Sequence, residues 1–161
     1  KNNIKAVTLP LLEKSKITNN NKKESFIKIL HKLIEKFPKL IFSVEADLDS
    51  YNLFDIIKID NNVKVTYDTG NITYSRFNHK MYLRKTMDKI SNIHIKDRSF
   101  NGESKKPLLG DTNFYEIFAY LKQNNYNGVF TLQTTREKTG DEFKTIKNHI
   151  NIIRKIYEKF I

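Results

Sequence analysis

The segments Leu40–Ala46 (LIFSVEA), Val63–Asp68 (VKVTYD) and Asn92–Lys96 (NIHIK) determine the fold of this chain. Each is a short run rich in apolar and β-branched residues, which is typical of a buried strand. The stretches between these segments have the residue spacing of helices instead. Strands that alternate with helices in this way predict right-handed βαβ units and a parallel sheet.

Two further strands and five helical segments extend the same alternation. We expect a first strand at Ile4–Leu9, closed by Pro10, and a last strand at Gly128–Gln133. The predicted helices are one between the polar break Asn19–Lys22 and Pro38, then Ser50–Ile59, a helix that includes Met81–Met87, Asn113–Gln123 capped by Asp111 or Thr112, and Asp141 to about Phe160. The faces expected to point inward are Phe26, Ile29, Leu30, Leu33, Ile34 and Phe37 in the first helix and Phe143, Ile146, Ile150, Ile153 and Tyr157 in the last.

The alternation is compatible with a doubly wound sheet and with a (β/α)₈ barrel. Neither a glycine-rich phosphate turn nor a P-loop follows the first strand, which favours the barrel. A complete barrel has eight strands and typically about 250 residues. We therefore expect residues 1–161, which begin with Lys1 and not with methionine, to be the C-terminal portion of a single α/β TIM-barrel domain and to cover about the last five β/α units.

Composition narrows the class of protein further. The net charge is +11, but the lysines are spread along the whole chain, so the charge indicates a solvated surface rather than a nucleic-acid footprint. No apolar run approaches the roughly 18 residues of a membrane span, and no cysteine is present to form a disulfide or a thiolate metal site. We expect a cytoplasmic protein that binds neither membranes nor nucleic acid.

Residues able to bind a metal stand at the ends of four predicted strands: Glu45, Asp68, His94 and Gln133. In parallel α/β architectures, the carboxyl ends of the strands carry the reactive side chains. Two carboxylates, one imidazole and one amide oxygen suit Mn²⁺, Mg²⁺, Co²⁺ or Zn²⁺, whereas a structural zinc site is built from nitrogen and sulfur ligands. The pattern therefore predicts a site for one divalent metal ion.

Each of these residues also has a plainer interpretation. Asp68 could begin a simple turn over Asp68–Asn71 (DTGN), and His94, flanked by two isoleucines, could be a hydrogen-bonded core residue. The metal-site interpretation rests on the four residues standing at corresponding strand ends. The other histidines fall on predicted helices or loops and are expected at the surface; they are His31, His79 and His149.

The loops after the last two predicted strands are basic and polar. The residues concerned are Lys96, Arg98, Lys105 and Lys106 after the fourth strand, and Thr134, Thr135 and Arg136 after the fifth. In barrels, the loops after strands seven and eight frequently bind phosphate, which favours a sugar phosphate or another acidic sugar as ligand. A solvated loop explains Lys105 and Lys106 equally well, so Arg98 and Arg136 are the stronger candidates.

Four motifs together resemble a known family. They are Tyr67–Asn71 (YDTGN), Ile93–Arg98 (IHIKDR), Pro107–Asp111 (PLLGD) and Tyr126–Phe130 (YNGVF). Their order and spacing, from about Ile4 to the end, resemble the sugar phosphate isomerase/epimerase family, whose fold is the xylose-isomerase-like TIM barrel. The resemblance implies the last part of that barrel and an enzyme of carbohydrate metabolism that isomerises or epimerises a small-molecule sugar or sugar phosphate.

The resemblance also implies roles for the residues at the strand ends. It makes Glu45, Asp68 and His94 three ligands of the metal and places the fourth at the end of the last strand, where the family commonly has glutamate and this chain has Gln133. In the family's usual mechanism, two glutamates move a proton through an enediolate beside a metal-polarised carbonyl. Gln133 cannot act as a base. Glu45 is then the catalytic base, and one-base isomerisation or dehydration stays open while two-base epimerisation is disfavoured.

The remaining expectations concern ligands and alternatives. Asn71 stands where related epimerases often carry a histidine and is expected, with Lys96, Arg98 and Arg136, to bind the substrate. A homo-oligomer is left open. One alternative is a non-catalytic or altered-chemistry barrel, such as a dehydratase or a sugar-binding protein. Another is a nuclease related to apurinic-site endonucleases, which share the barrel but need a histidine-rich multi-zinc cluster.

Overall fold

Strands and helices alternate through a computed structural model of the chain, which describes residues 4–137 and 140–160. The strands are β1 (Ala6–Leu11), β2 (Ile41–Ala46), β3 (Val63–Asp68), β4 (Ile90–Ile95), β5 (Asp97–Arg98), β6 (Ser104–Lys105) and β7 (Val129–Leu132). The α-helices are α1 (Asn20–Lys36), α2 (Ser50–Ile57), α3 (Thr69–Tyr74), α4 (His79–Thr86), α5 (Phe114–Gln123) and α6 (Glu142–Tyr157). Short 3₁₀ turns occupy Glu13–Ser15, Met87–Lys89 and Glu158–Phe160. Within the described ranges, no helix combines the length and the apolar character needed to cross a membrane.

The longer strands form one sheet in the order β1–β2–β3–β4–β7, while β5 and β6 form a separate antiparallel pair. β1 pairs with β2, β2 with β3, and β4 with β7, each time in parallel. Parallel neighbours need a crossover between them, and α1 and α2 supply two of these crossovers. The parallel α/β fold predicted from the sequence is confirmed.

The chain divides into two compact units. The first contains Lys1–Tyr67 with Lys85–Ser91, and the second contains Asp68–Arg84 with Asn92–Ile161. In the described part of the first unit, the buried apolar side chains come mainly from β2, β3 and α2. They include Leu30, Phe42, Val44, Leu53, Ile56, Ile57, Val63 and Val65.

Within the first unit, β2 and β3 also carry a face with hydroxyl groups. Ser43 Oγ lies 2.7 Å from Thr66 Oγ1 and 2.6 Å from Ser91 Oγ, and Thr66 Oγ1 lies 3.4 Å from Thr8 Oγ1. Glu45 follows Ser43 by two residues on β2 and therefore shares its face. Branched aliphatic side chains ordinarily fill this level of a barrel. Here the hydroxyl groups form hydrogen bonds with one another. These bonds allow polar side chains to be buried next to Glu45 on β2.

Aromatic rings from α5, β7 and α6 pack together in the second unit. The ring of Phe118 meets Phe130 and Tyr157 edge-on, with centroids 6.1 and 5.5 Å apart, and Tyr126 meets Phe130 at 5.3 Å. Edge-on pairs of this kind contribute about 0.5–1.5 kcal/mol each beyond the area they bury. They hold the last strand, and so the start of the loop after it, against two helices.

The first strand runs through Pro10, although the sequence predicted that this proline would close it. β1 occupies Ala6–Leu11 rather than Ile4–Leu9, and Pro10 is opposite Glu45 in the ladder. Proline lacks the N–H that a central strand needs. β1 stands at the end of the strand order, where one side of the ladder has no neighbouring strand in the described sheet, so the missing donor is tolerated.

Three helix starts differ from the prediction, and side-chain caps explain them. α1 begins at Asn20 because the side chain of Asn19 accepts a hydrogen bond from Lys22 N, so the predicted polar break is the first helical turn. α5 is capped by Asn113 and not by Asp111 or Thr112. α3, which the sequence did not reveal, begins directly after its cap, Asp68.

The inward faces predicted for the first and last helices were partly wrong. In α6, Phe143 is 84 % exposed and Ile146 is 46 % exposed. The buried positions of α6 are Thr145, His149 and Ile156, each one residue before a position predicted to point inward. In α1, Leu30 is buried as predicted, whereas Ile29 is exposed, and Phe37, the C-cap of this helix, is exposed as well.

Two histidines expected at the surface are buried: His79 and His149 are only 8 % and 0 % exposed. His31, on α1, is exposed as predicted. His79 Nε2 lies 3.0 Å from Thr73 Oγ1, which also donates to Thr112 Oγ1 at 3.0 Å. Burial lowers the pKa of His79 to about 4. The imidazole is therefore neutral in the folded protein near pH 7.

We predict that His79 makes the protein less stable in acid. Its pKa is about 4 in the folded protein, below the ordinary 6.5, so protons bind the unfolded chain preferentially as the pH falls between these values. The expected effect is a loss of about 2 kcal/mol in the free energy of unfolding between pH 7 and pH 5. Urea unfolding at both pH values measures it.

The control for this measurement is the exposed histidine of α1. His79→Gln, which keeps a group able to bond Thr73, should remove this part of the acid sensitivity, and His31→Gln should leave it unchanged. An unaltered pH dependence in the His79→Gln variant would contradict the assignment.

Candidate metal centre

Asp68 ends β3 and caps α3 with the same carboxylate. Its Oδ1 atom accepts a hydrogen bond of 2.7 Å from the backbone N of Asn71. Its Oδ2 atom is buried and accepts no hydrogen bond from the residues that the structure describes. Because a buried carboxylate oxygen without a donor is energetically unfavourable, Oδ2 is an atom to which a cation would be strongly attracted.

His94, on β4, faces this oxygen. His94 Nδ1 lies 3.9 Å from Asp68 Oδ2, which is too far for a hydrogen bond. Burial raises the pKa of Asp68, although the hydrogen bond from Asn71 and the charge of Lys96 oppose the shift. Burial lowers the pKa of His94 against the opposing charge of Asp68. His94 is therefore neutral near pH 7, and neutral imidazole is the form that binds metals.

Glu45 supplies a second buried carboxylate, with 7 % of the residue exposed. Glu45, Asp68 and His94 each offer one ligand atom, and these three atoms lie within 4.8 Å of one another. Two carboxylate oxygens and one imidazole nitrogen form a mixed donor set that suits a divalent metal ion. The donor set, together with the buried Oδ2 of Asp68, fits such an ion.

Gln133 follows β7 directly and is exposed. Its backbone N donates to Ile95 O at 2.9 Å, so the pairing with β4 continues to this residue. Thr131 is opposite His94 in the ladder, and its hydroxyl bonds Asn92 Oδ1 at 3.0 Å. Side chains two residues apart on a strand share a face. Gln133 therefore stands on the face of the β4–β7 pair that carries His94, and ligation by its amide oxygen stays a prediction.

Three of the four predicted substrate-binding residues lie together. Arg98 Nη1 donates to Asn71 Oδ1 at 3.0 Å. The side chains of Lys96 and Arg98 both pass Gly70, where a Cβ atom would lie 2.8 Å from Lys96 Cγ and 2.9 Å from Arg98 Cγ. Only glycine leaves room for both. The fourth residue, Arg136, is exposed in the loop after β7.

A buried carboxylate that had no role in the sequence interpretation organises the loop after β4. Asp97 is 2 % exposed and accepts hydrogen bonds from the backbone N atoms of Gly110 (3.0 Å) and Thr112 (3.2 Å). The backbone N of Arg98 donates to Thr112 Oγ1 at 3.3 Å. Asp97 thereby fixes the backbone from which Arg98 extends. The sequence signal that could have pointed to Asp97 was its place within the motif Ile93–Arg98.

A chain of hydrogen bonds around His149 was also missed. His149 Nδ1 lies 2.7 Å from Thr134 Oγ1, and Nε2 lies 2.6 Å from Glu137 Oε1. Glu137 pairs with Lys106 as well, at 3.2 Å. The bond to His149 lowers the pKa of Glu137 most, so this carboxylate is ionised and accepts the Nε2–H. The chain of bonds ties the loop after Gln133 to α6, and no sequence pattern predicts it.

Comparisons with known proteins bear on this geometry. The sequence model of the family described as xylose isomerase-like TIM barrel matches residues 48–156. No curated protein sequence matches the chain significantly. Among solved structures, a xylose isomerase domain protein from Planctomyces limnophilus is 18% identical, with a TM-score of 0.76 over 97% of this chain and 59% of its own.

Two further structures resemble the chain. The IOLI protein, solved with a bound zinc atom, has a TM-score of 0.78 and 17% identity over 98% of this chain and 64% of its own. D-Psicose 3-epimerase from Clostridium cellulolyticum H10, solved with D-tagatose, has a TM-score of 0.68 and 16% identity over 92% of this chain and 60% of its own. The chain thus spans about six-tenths of the length of these structures, and likeness at such identity shows the fold. Since the family model covers more than half of its residues, the chain belongs to the family of xylose isomerase-like TIM barrels.

Proposed function

We propose that the protein is a divalent-metal-dependent isomerase or epimerase of a sugar or sugar phosphate and acts through an enediolate. The observation that carries the proposal is the grouping of ligand atoms from Glu45, Asp68 and His94 within 4.8 Å. Family membership supports it. So does the chemistry of two structural neighbours, since one holds zinc and the other is an epimerase solved with a ketose.

The ligands in this proposal are Glu45, Asp68 and His94, with the amide oxygen of Gln133 as the fourth. A bound divalent ion would act as a Lewis acid toward the carbonyl and hydroxyl oxygens of the sugar. Asp68 is held in place by the cap of α3, and His94 presents a neutral imidazole because burial lowers its pKa. Both side chains are thus prepared for ligation without a large rearrangement.

Glu45 is the catalytic base in this proposal. Its carboxylate removes a proton from the carbon next to the sugar carbonyl, and the electron pair of that C–H bond forms the enediolate. The same carboxylate returns the proton to the former carbonyl carbon, while the proton of the adjacent hydroxyl passes to the former carbonyl oxygen, which converts an aldose into a ketose or the reverse.

Gln133 decides between one-base and two-base chemistry. An amide has no basic group in the physiological pH range, so a second proton acceptor is missing at this position. With Glu45 and Asp68 as the charged ligands, a site holding a divalent ion is neutral. The missing second proton acceptor favours one-base isomerisation over two-base epimerisation. It also supports the second candidate function, an altered-chemistry barrel such as a dehydratase or a non-catalytic sugar-binding protein.

The nuclease alternative receives no support from the histidines. Such enzymes need several histidine ligands, and His94 is the one histidine in the ligand group found in the described residues. His149 is hydrogen-bonded to Thr134 and Glu137, and His79 to Thr73. His31 is exposed on α1.

We predict that the intact protein binds one divalent ion per chain and that Asp68→Asn weakens this binding by about 100-fold. Asparagine caps helices as well as aspartate does, so α3 should survive the change while the anionic ligand is lost. Titration calorimetry with Zn²⁺ or Mn²⁺, together with metal analysis, measures the effect.

The exposed Asp88 provides the matched control, because Asp88→Asn changes the net charge equally. Binding in that variant should equal binding in the wild type. Equal affinity in the wild type and the Asp68→Asn variant, or no bound ion in either, would remove the basis of the proposal.

We predict further that Glu45→Gln abolishes proton exchange between a bound sugar and the solvent, because glutamine is isosteric but not basic. Incubation of the intact protein with ketoses and ketose phosphates in D₂O, followed by mass spectrometry, measures deuterium at the carbon next to the carbonyl. Glu35→Gln, an exposed change on α1, is the control and should exchange normally. Undiminished exchange in the Glu45→Gln variant would show that another group is the base.

A further inference from the structure

The guanidinium group of Arg98 is held by neutral groups. Its Nε and Nη2 atoms donate to Gly102 O at 3.0 and 2.8 Å, and Nη1 donates to Asn71 Oδ1 at 3.0 Å. Among residues 4–137 and 140–160, no carboxylate forms an ion pair with it. Arginine has five N–H donors, of which these three bonds use three. Two donors and a full positive charge remain for a ligand.

Tyr74 and Gly102 fix the guanidinium in this orientation. The guanidinium carbon lies 4.4 Å from the centroid of the Tyr74 ring, which covers one face. Gly102 has a φ of +96°, a backbone conformation that favours glycine, and a Cβ there would lie 3.0 Å from Tyr74 Cε2, which is a tight contact. Arg98 is therefore pre-organised, and little entropy remains to be lost on binding an anion.

Lys96 lies against the same glycine as Arg98. Lys96 and Arg98 follow His94 by two and four residues, and both side chains lie next to Gly70. Lys96 forms no ion pair in the described part of the chain. Burial raises the pKa of Asp68, and the charge of Lys96 is among the effects that oppose this rise.

The other basic residues near these loops are engaged or exposed. Lys106 pairs with Glu137 at 3.2 Å, and Lys105 pairs with Glu103 at 2.5 Å. Arg136 is exposed. Lys96 and Arg98 are therefore the cations of this region that are both partly buried and without an ion-pair partner in the described residues.

We propose that Lys96 and Arg98 form an anion-binding subsite and that the substrate is an anionic sugar, recognised by its phosphate or carboxylate group. A guanidinium with two free donors beside an ammonium group matches the geometry and charge of either oxyanion. Asn71 is then a positioning residue, because its Oδ1 atom holds Arg98. The identification of the ligand as a sugar rests on the proposed function of the neighbouring metal centre, whereas the identification of its group as an anion does not.

The first test uses inorganic phosphate and the intact protein freed of metal by a chelator. Titration calorimetry should detect phosphate binding that Lys96→Gln and Arg98→Gln each weaken by at least about tenfold. Lys80→Gln, an equal change of charge at an exposed position of α4, should leave the affinity unchanged. Lys96 makes no hydrogen bond through its side chain to the described residues, so Lys96→Gln tests the charge even if Arg98→Gln unfolds the loop. Unchanged binding in the Lys96→Gln variant, or no binding to the wild type, would overturn the assignment.

The second test distinguishes a phosphate group from a carboxylate group as the anion of the sugar. Binding of fructose, fructose 6-phosphate and fructuronate is compared in the wild type and in the Lys96→Gln variant. One of the anionic sugars should bind at least about tenfold more tightly than fructose, and Lys96→Gln should remove the advantage. Equal binding of all three sugars contradicts the anion subsite. It leaves the metal-centre proposal standing if Zn²⁺ binding still depends on Asp68.

Discussion

The hydrogen bond from Asn71 N to Asp68 Oδ1 is the interaction on which the candidate site depends. At 2.7 Å it starts α3 and leaves the second oxygen of Asp68 buried without a donor among the described residues. The next residue, Thr69, bonds both the carbonyl and the backbone N of Lys96, at 2.6 and 2.9 Å. One helical turn thus sets the carboxylate and aligns the end of β4. Asn71 completes the arrangement by holding Arg98.

Groups of both charge signs in this region lack a direct partner. The buried Oδ2 of Asp68 has no donor in the described residues, and Lys96 and Arg98 have no ion-pair partner there. Charges that are buried or partly buried without partners are unfavourable in a fold, so their presence indicates a site completed by ligands. A cation at Asp68 and an anion at Lys96 and Arg98 would balance the charges. A metal ion and an anionic sugar together have this pattern.

The sequence predicted the ends of β2 and β3, at Ala46 and Asp68, because apolar β-branched runs stop there, and the resulting parallel fold is confirmed. It did not predict α3, since Thr69–Tyr74 (TGNITY) contains glycine and β-branched residues with poor helix propensity. Its cap and the burial of most of its residues hold that helix instead. His149 was misplaced because a polar side chain on the inward face of α6 needs partners distant in sequence, here Thr134 and Glu137. Hydrophobic periodicity carries no information about such partners.

Anomalous diffraction from crystals of the intact protein grown with Zn²⁺ tests the proposed metal centre most directly. We expect one strong anomalous peak, coordinated by an oxygen of Glu45, Oδ2 of Asp68 and a ring nitrogen of His94. These are the side chains whose ligand atoms lie within 4.8 Å of one another. A crystal that binds Zn²⁺ only elsewhere, with no metal on these three side chains at saturating concentration, would contradict the proposal.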